Sequence, residues 1–151
     1  MNNKDFQKGL PAKRMGVGAL IFNDRDEILL VKPTYKDHWS FVGGVVDANE
    51  SPMQACVREV KEEIGLDVDA EFVSVVYQPE TDEKTESLQF VFDAGTISQD
   101  QINKIEIDCK EIGEYKFYKI KDAISVLSET ASHRLQQSLE AIKNNQAIYL
   151  E

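Results

Sequence analysis

The clearest periodic pattern in the chain is an amphipathic stretch that follows a polar loop. Apolar residues recur at helical spacing over residues 52–64, which is typical of an α-helix with one face on a core. Ser51 is a favourable N-cap, and Gln54 falls three residues later, where it completes a capping box. Gly65 supplies the left-handed residue that ends many helices. The pattern therefore predicts a helix over Pro52–Ile64.

The rest of the chain alternates between short apolar runs and polar turns. These runs predict five strands over residues 14–23, 27–32, 71–78, 87–94 and 113–120, the first two as a hairpin. A short helix over 121–127 and an amphipathic helix over 132–144 follow, whereas 1–13 and 95–112 are predicted to be a loose lead-in and a long acidic connection. Strands with two or three helices against them predict one domain, residues 1–151, of the α+β class: an α/β/α sandwich with a mixed β-sheet between helices.

Composition and charge narrow the class of partner. The 151 residues are 42% hydrophobic, enough for the core of one domain, and the net charge is −10. An acidic chain without a basic patch argues against duplex nucleic acid and anionic membranes as partners. No apolar run approaches the ~20 residues of a membrane span, and the first residues lack the apolar region of a secretory signal. Cys56 and Cys109 have no metal-type spacing, so we expect free thiols and a cytoplasmic protein.

The polar face of the predicted helix carries an unusual group of carboxylates. Glu59, Glu62 and Glu63 fall within about one third of the helix circumference, near its C-terminal end, where negative charge is unfavourable. One interpretation is a solvated acidic face. The other is a bound cation, with Ala55 leaving room for it among the glutamates. Clustered hard oxygen ligands suit Mg²⁺ or Mn²⁺.

Fixed spacings connect this helix to the loop before it. Gly44 is followed by five residues and Glu50, then by seven residues and the run Arg58-Glu-Val-Lys-Glu-Glu-Ile-Gly-Leu66. This matches every fixed position of the Nudix box, G-x5-E-x7-R-E-U-x-E-E-x-G-U with U aliphatic. The surrounding pattern of strands and helices resembles the Nudix hydrolase fold over nearly the whole chain, and the chain is identified as a MutT-like member of that family.

The resemblance implies an activity and a set of site residues. Nudix hydrolases split a nucleoside diphosphate linked to another moiety, by attack of water on phosphorus with divalent metal. The expected cofactor is Mg²⁺, with Mn²⁺ as an alternative, and the implied general base is left open. Arg58 is interpreted as an orienting partner that pairs with Glu50 or the helix carboxylates, with an ordinary surface arginine as the alternative. The implied metal ligands are Glu59, Glu62, Glu63 and the backbone carbonyl of Gly44.

Residues outside the box supply further candidates. Many Nudix enzymes recruit another carboxylate from the loop before a late strand, and Glu111 is the first candidate, with Glu114 and the 80–86 loop behind it. Trp39 and Tyr35 flank the glycine loop, where they either stack on a flat part of a nucleotide-type substrate or serve as core or lid aromatics.

Two further functions compete with hydrolysis. The first is a non-catalytic Nudix-fold sensor that binds a nucleotide without cleaving it, and the second is a structural protein with an acidic helix. The intact box favours the enzyme. Nucleoside triphosphates, oxidised nucleotides and nucleotide sugars are all open as substrates, and a homodimer is open as the oligomeric state.

Overall fold

The computed structural model describes residues 1–151 and contains seven strands and five helices. In chain order they are α1 Asn3–Lys8, β1 Arg14–Phe22, β2 Ile28–Pro33, β3 Val42–Val45, α2 Pro52–Ile64, β4 Glu71–Gln78, β5 Ser87–Thr96, α3 Gln99–Asn103, β6 Ile112–Tyr118, α4 Ile120–Val126, α5 Glu129–Lys143 and β7 Ile148–Leu150. None of the helices combines the length and apolar character needed to cross a membrane.

All seven strands form one mixed sheet with β1 near its centre. The strand order is β6-β2-β1-β5-β4-β7, and β3 pairs with β1 beside this path. β1 runs parallel to β5, and β4 runs parallel to β7, while the other pairs are antiparallel. The predicted hairpin between β1 and β2 is confined to one register pair, Phe22 with Ile28, because β3 takes the same edge of β1 from Gly16 to Ala19.

Alternation along β1 sends its side chains into two separate cores. Val17 and Ile21 belong to the core beneath α2, whereas Leu20 belongs to the core beneath α4 and α5. The sheet therefore lies between α2 on one face and α4 with α5 on the other. This arrangement confirms the predicted α+β class and the α/β/α sandwich with a mixed sheet between helices.

Most predicted elements appear with small shifts of their ends, and four short ones, α1, β3, α3 and β7, were missed. α2 and β4 have the predicted bounds, and the Ser51–Gln54 capping box is formed in both directions. The prediction of an uninterrupted connection over 95–112 was wrong, because Ser98 and Gln101 form a second capping box and start α3. The lead-in contains α1, which buries none of its residues, and the chain ends in β7, which pairs with β4.

The rotation of α2 differs from the predicted one. Ala55 was expected on the polar face with room beside it, yet it is 0% exposed and part of the core, so no guest fits there. Met53, one of the apolar positions in the helix pattern, is exposed. A physical reason lies in the strand beneath the helix: Gly44 has no side chain, so Glu59 of the helix lies directly against β3.

Candidate active site

The close approach of α2 to β3 brings the carboxylate of Glu59 against the backbone. A Cβ atom placed on Gly44 would lie 2.6 Å from Cδ of Glu59, closer than side chains tolerate. Gly44 itself pairs with Val17 in the sheet. A glycine at this position is therefore what allows a helix carboxylate to lie directly on the strand.

Glu63 is a buried carboxylate whose hydrogen bonding is incomplete. The residue is only 5% exposed. Its Oε1 accepts a hydrogen bond from the backbone N–H of Gly43 at 3.3 Å, while its buried Oε2 has no partner. Burial raises the pKa of Glu63 to about 8, and the neighbouring charges of Glu59 and Glu111 act in the same direction. An unpaired carboxylate oxygen in this position calls for a cation or a proton.

Glu59 and Glu111 complete an acidic group around Glu63. Burial raises the pKa of Glu59, opposed by the hydrogen bond from Arg58, and the charge of Glu111 contributes to the rise. Glu111 lies immediately before β6, far away in sequence, yet lines the same cleft as Glu63. Its carboxylate takes part in none of the ion pairs of the protein. The structure thus brings together Glu59 and Glu63 from the box and Glu111 from the late loop.

Arg58 ties the helix to the loop that precedes it. Its Nε and Nη2 donate to the two carboxylate oxygens of Glu50 at 2.6 and 2.9 Å, and Nη2 also donates to the carbonyl of Val45 at 3.0 Å. These bonds lower the pKa of Glu50 to about 2. Nη1 donates to Glu59 at 2.9 Å and to Glu62 at 3.1 Å. The guanidinium therefore pairs both with Glu50 and with the helix carboxylates, unlike an isolated surface arginine.

Glu62 stands apart from the other helix carboxylates. Its side chain is 55% exposed, whereas that of Glu59 is 12% exposed, and its only ion pair is with Arg58. No three His, Cys, Asp or Glu side chains are arranged closely enough to hold a metal ion by themselves. The donors nevertheless fit a hard divalent cation in kind, since Glu59 and Glu63 offer carboxylate oxygens and one oxygen of Glu63 is buried without a partner. The side chains present fit such an ion without forming a closed ligand set.

A cleft of about 280 Å³ begins at this acidic group and continues to the opposite face of the sheet. Tyr35 and Trp39 both line it. Tyr35 is 72% exposed, so its ring is available to a ligand. Trp39 instead packs edge-on against Tyr118 with ring centroids 5.1 Å apart, which combines the packing role with an edge on the cleft.

The far part of the cleft contains residues that the sequence analysis did not select. Arg134 of α5 and Gln89 of β5 line this part, together with Arg14, Lys36 and Lys84. α5 was read only for its apolar face, so its arginine was overlooked. A usable signal was the spacing of Gly16 and Gly18, which leaves two positions of β1 without side chains, where Gln89 and Phe41 pack closely against the strand.

Relatives of known name support the same family. The chain is 32% identical to m7GpppN-mRNA hydrolase of Saccharomyces cerevisiae over 146 residues, covering 87% of this chain and 15% of that protein. It is 34% identical to diphosphoinositol polyphosphate phosphohydrolase 3-alpha of Mus musculus over 103 residues, covering 68% of this chain and 60% of that protein. The chain therefore spans less than two thirds of the length of each of these relatives.

Solved structures share the fold at low sequence identity. The MutT protein from Methanosarcina mazei Go1 superposes with a TM-score of 0.69 at 22% identity, covering 91% of this chain and 99% of that one. The NUDIX domain of Shewanella oneidensis NrtR, complexed with ADP ribose, superposes with a TM-score of 0.75 at 19% identity, covering 94% and 99% of the two chains. The sequence also matches the NUDIX domain over residues 12–141, a range that includes the whole box. The chain therefore belongs to the Nudix hydrolase family.

Proposed function

We propose that this chain hydrolyses the pyrophosphate linkage of a nucleoside diphosphate joined to another moiety, by attack of water on phosphorus with Mg²⁺ as cofactor and Mn²⁺ as the alternative. The observation that carries the proposal is the buried, unpartnered oxygen of Glu63 at the mouth of a cleft that Glu111 also lines. A carboxylate in that state takes a proton or a cation, and a cation bound there would also neutralise the phosphates of the substrate.

Glu59, Glu63, the more exposed Glu62 and the carbonyl of Gly44 are the proposed ligands. When bound, the divalent ion supplies charge neutralisation of the pyrophosphate and a lower pKa for the attacking water. Glu62 has to leave Arg58 to take part, which makes it the weakest member of the set.

The protein side chains have separate roles in this scheme. Glu111 is the proposed proton acceptor, because it lines the cleft and its carboxylate is free of ion pairs. Arg58 and Glu50 are positioning residues, since they fix the start of α2 and hold one oxygen of Glu59. Tyr35 and Trp39 are proposed to contact a flat group of the substrate, with Tyr35 as the more accessible ring.

The names of the relatives indicate the kind of bond attacked. One acts on m7GpppN-mRNA, another is an RNA pyrophosphohydrolase and a third is a diphosphoinositol polyphosphate phosphohydrolase. These names share a phosphoanhydride and differ in the group attached to it. We propose the same bond for this chain, within a small nucleotide-type substrate, in the cytoplasm and without duplex nucleic acid or membrane as partner. A homodimer is the oligomeric state to test first.

A nucleotide sensor without turnover is the second candidate. One observation favours it: the carboxylates do not form a closed ligand set. The two functions predict different results with a panel of nucleotides in Mg²⁺. Tight binding with no phosphate release over the whole panel would favour the sensor.

The decisive experiment measures rate against Mg²⁺ concentration, with phosphate release read after a coupling pyrophosphatase or phosphatase. It compares the wild type with five single variants of glutamate to glutamine, at positions Glu50, Glu59, Glu62, Glu63 and Glu111. Loss of a general base reduces rate by about 10²–10⁴. A ligand variant also shifts the Mg²⁺ dependence, whereas Glu111→Gln should lower the rate without that shift. Full activity in both Glu59→Gln and Glu63→Gln would contradict the mechanism.

A further inference from the structure

Arg134 is a cation that the fold partly buries without giving it a negative partner. Its Nε is buried and makes no hydrogen bond. None of the ion pairs in the protein includes this residue. Burial lowers the pKa of its guanidinium to about 10, and no carboxylate opposes the effect. In a chain with 27 acidic residues and 17 basic ones, an arginine left in this state requires an explanation.

The guanidinium is held in place by neutral groups. Its Nη1 donates to Oε1 of Gln89 at 3.3 Å, and its central carbon lies 5.8 Å from the centroid of the Phe41 ring. Gln89 and Phe41 in turn lie over Gly16 and Gly18, where a Cβ atom would collide with the glutamine and press against the phenylalanine. The bare face of β1 thus accommodates the two side chains that support Arg134.

The same cleft collects further unpaired cations. Arg14, Lys36 and Lys84 line it with Arg134, and none of the four belongs to an ion pair. Lys36 lies between the two ends, since its pKa is lowered first by burial, further by the charges of Lys84 and Arg134, and raised by Glu63. A cleft lined by several cations focuses the electrostatic field and attracts an anion.

We propose that Arg134, supported by Gln89 and Phe41, binds a phosphate group of the substrate on the side of the sheet opposite to Glu63. The forked donors of a guanidinium match phosphate oxygens. The inference rests on the proposed function for the identity of the cleft, and it narrows the substrate class. The substrate carries a phosphate beyond the linkage that is attacked, which disfavours nucleotide sugars with an uncharged sugar.

This additional phosphate has two chemical sources, and two probes distinguish them. Inorganic tripolyphosphate represents a continuous polyphosphate chain, and myo-inositol hexakisphosphate represents separate phosphate esters. Binding of each probe is measured by calorimetry in chelator, so that neither metal nor hydrolysis contributes. The probe whose affinity falls more when Arg134 is replaced by Gln shows which kind of phosphate the arginine binds.

The variants are Arg134→Gln, Arg134→Lys and, as a matched control, Arg25→Gln. Arg25 is exposed, pairs with Glu27 and lies outside the cleft, so the control removes the same charge elsewhere. We expect Arg134→Gln to lower the affinity for one or both probes by at least about tenfold, as for a lost hydrogen bond to a charged group. The affinity of Arg134→Lys should lie between those of Arg134→Gln and the wild type. The control, Arg25→Gln, should bind the probes with wild-type affinity. Equal weakening in Arg134→Gln and Arg25→Gln would overturn the proposal.

A stability measurement separates binding from a structural role. Without a probe, we expect Arg134→Gln to melt at or above the wild-type temperature, because it removes an unpaired buried charge. With the probe present, the wild type should melt at a higher temperature than without it, because the probe binds the folded state. A variant that melts lower by the same amount with and without the probe would show a structural arginine and refute the inference. Since the measurements are made without metal, their failure is distinct from a failure of Mg²⁺-dependent hydrolysis.

Discussion

The buried carboxylate of Glu63 should make the stability of the metal-free protein depend on pH. Its pKa moves from an ordinary value of 4.5 to about 8, chiefly through burial. A raised carboxyl pKa means that the folded protein holds a proton that the unfolded chain has already lost. The contribution of this proton to the stability of the fold is therefore complete below pH 4.5, and it is lost as the pH rises through about 8. The perturbation that tests this is Glu63→Gln, which imitates the protonated acid.

The size of the effect follows from the displacement of the pKa. One pKa unit corresponds to about 1.4 kcal/mol, so the displacement amounts to on the order of 5 kcal/mol over the whole interval. Between the two pKa values the free energy of unfolding should fall by up to about 1.4 kcal/mol per pH unit. This is a large part of the about 5–15 kcal/mol that stabilises a typical domain.

Urea denaturation in chelator, repeated at several pH values, measures the effect. We expect the free energy of unfolding of Glu63→Gln to depend much less on pH than that of the wild type. We also expect this variant to be more stable than the wild type near neutral pH. Glu83→Gln is the control, because Glu83 is exposed in the turn between β4 and β5. If Glu63→Gln and Glu83→Gln both keep the wild-type slope, then Glu63 is not held in an environment that favours its proton, and the argument is wrong.

Four further outcomes follow from the same geometry. Millimolar Mg²⁺ or Mn²⁺ should raise the melting temperature over that in chelator, since a ligand of the folded state stabilises by mass action, and an unchanged value would contradict an ion site. Gly44→Ala should displace the Glu59 carboxylate and reduce the Mg²⁺-dependent rate at little loss of stability, because the new Cβ meets only the end of a side chain. Gly43→Ala should instead destabilise the fold by about 1–3 kcal/mol in urea, because its Cβ would lie 2.9 Å from a backbone carbonyl carbon of β1; equal effects of the two variants would refute the distinction. Arg58→Lys should lower the unfolding free energy by about 1–3 kcal/mol through loss of the forked contacts, and wild-type stability would show that they contribute little.

Features encoded within one turn or one helix could be read from the sequence. The bounds of α2, its capping box and its glycine stop depend on residues three to five positions apart, so their spacing defines them directly. The match to the box, and with it the family and the α/β/α sandwich, rests on the same kind of local information. The pairing of Arg58 with Glu50 was one of the two predicted for this arginine, and the two residues lie only eight positions apart.

The helix carboxylates show where local information stops. Periodicity placed Glu59, Glu62 and Glu63 on one face as equals, yet Glu63 is buried, Glu62 is mostly exposed and Glu59 lies on the backbone of Gly44. The pattern predicts that one face is apolar, but the rotation of the helix depends on the surface it packs against. The observed rotation places Ala55 in the core and Glu59 against Gly44 of β3.

The sequence by itself determined which chemical groups the chain offers and how they are spaced along α2. Only the tertiary structure decided which distant groups meet: Glu111 joins Glu63 at one end of the cleft, and Arg134 meets Gln89 and Phe41 at the other. In a chain with 27 acidic residues, position along the sequence cannot select the one carboxylate that completes a site. The order of the strands makes that selection, because burial of the two apolar faces of the sheet fixes which loops and helices lie side by side.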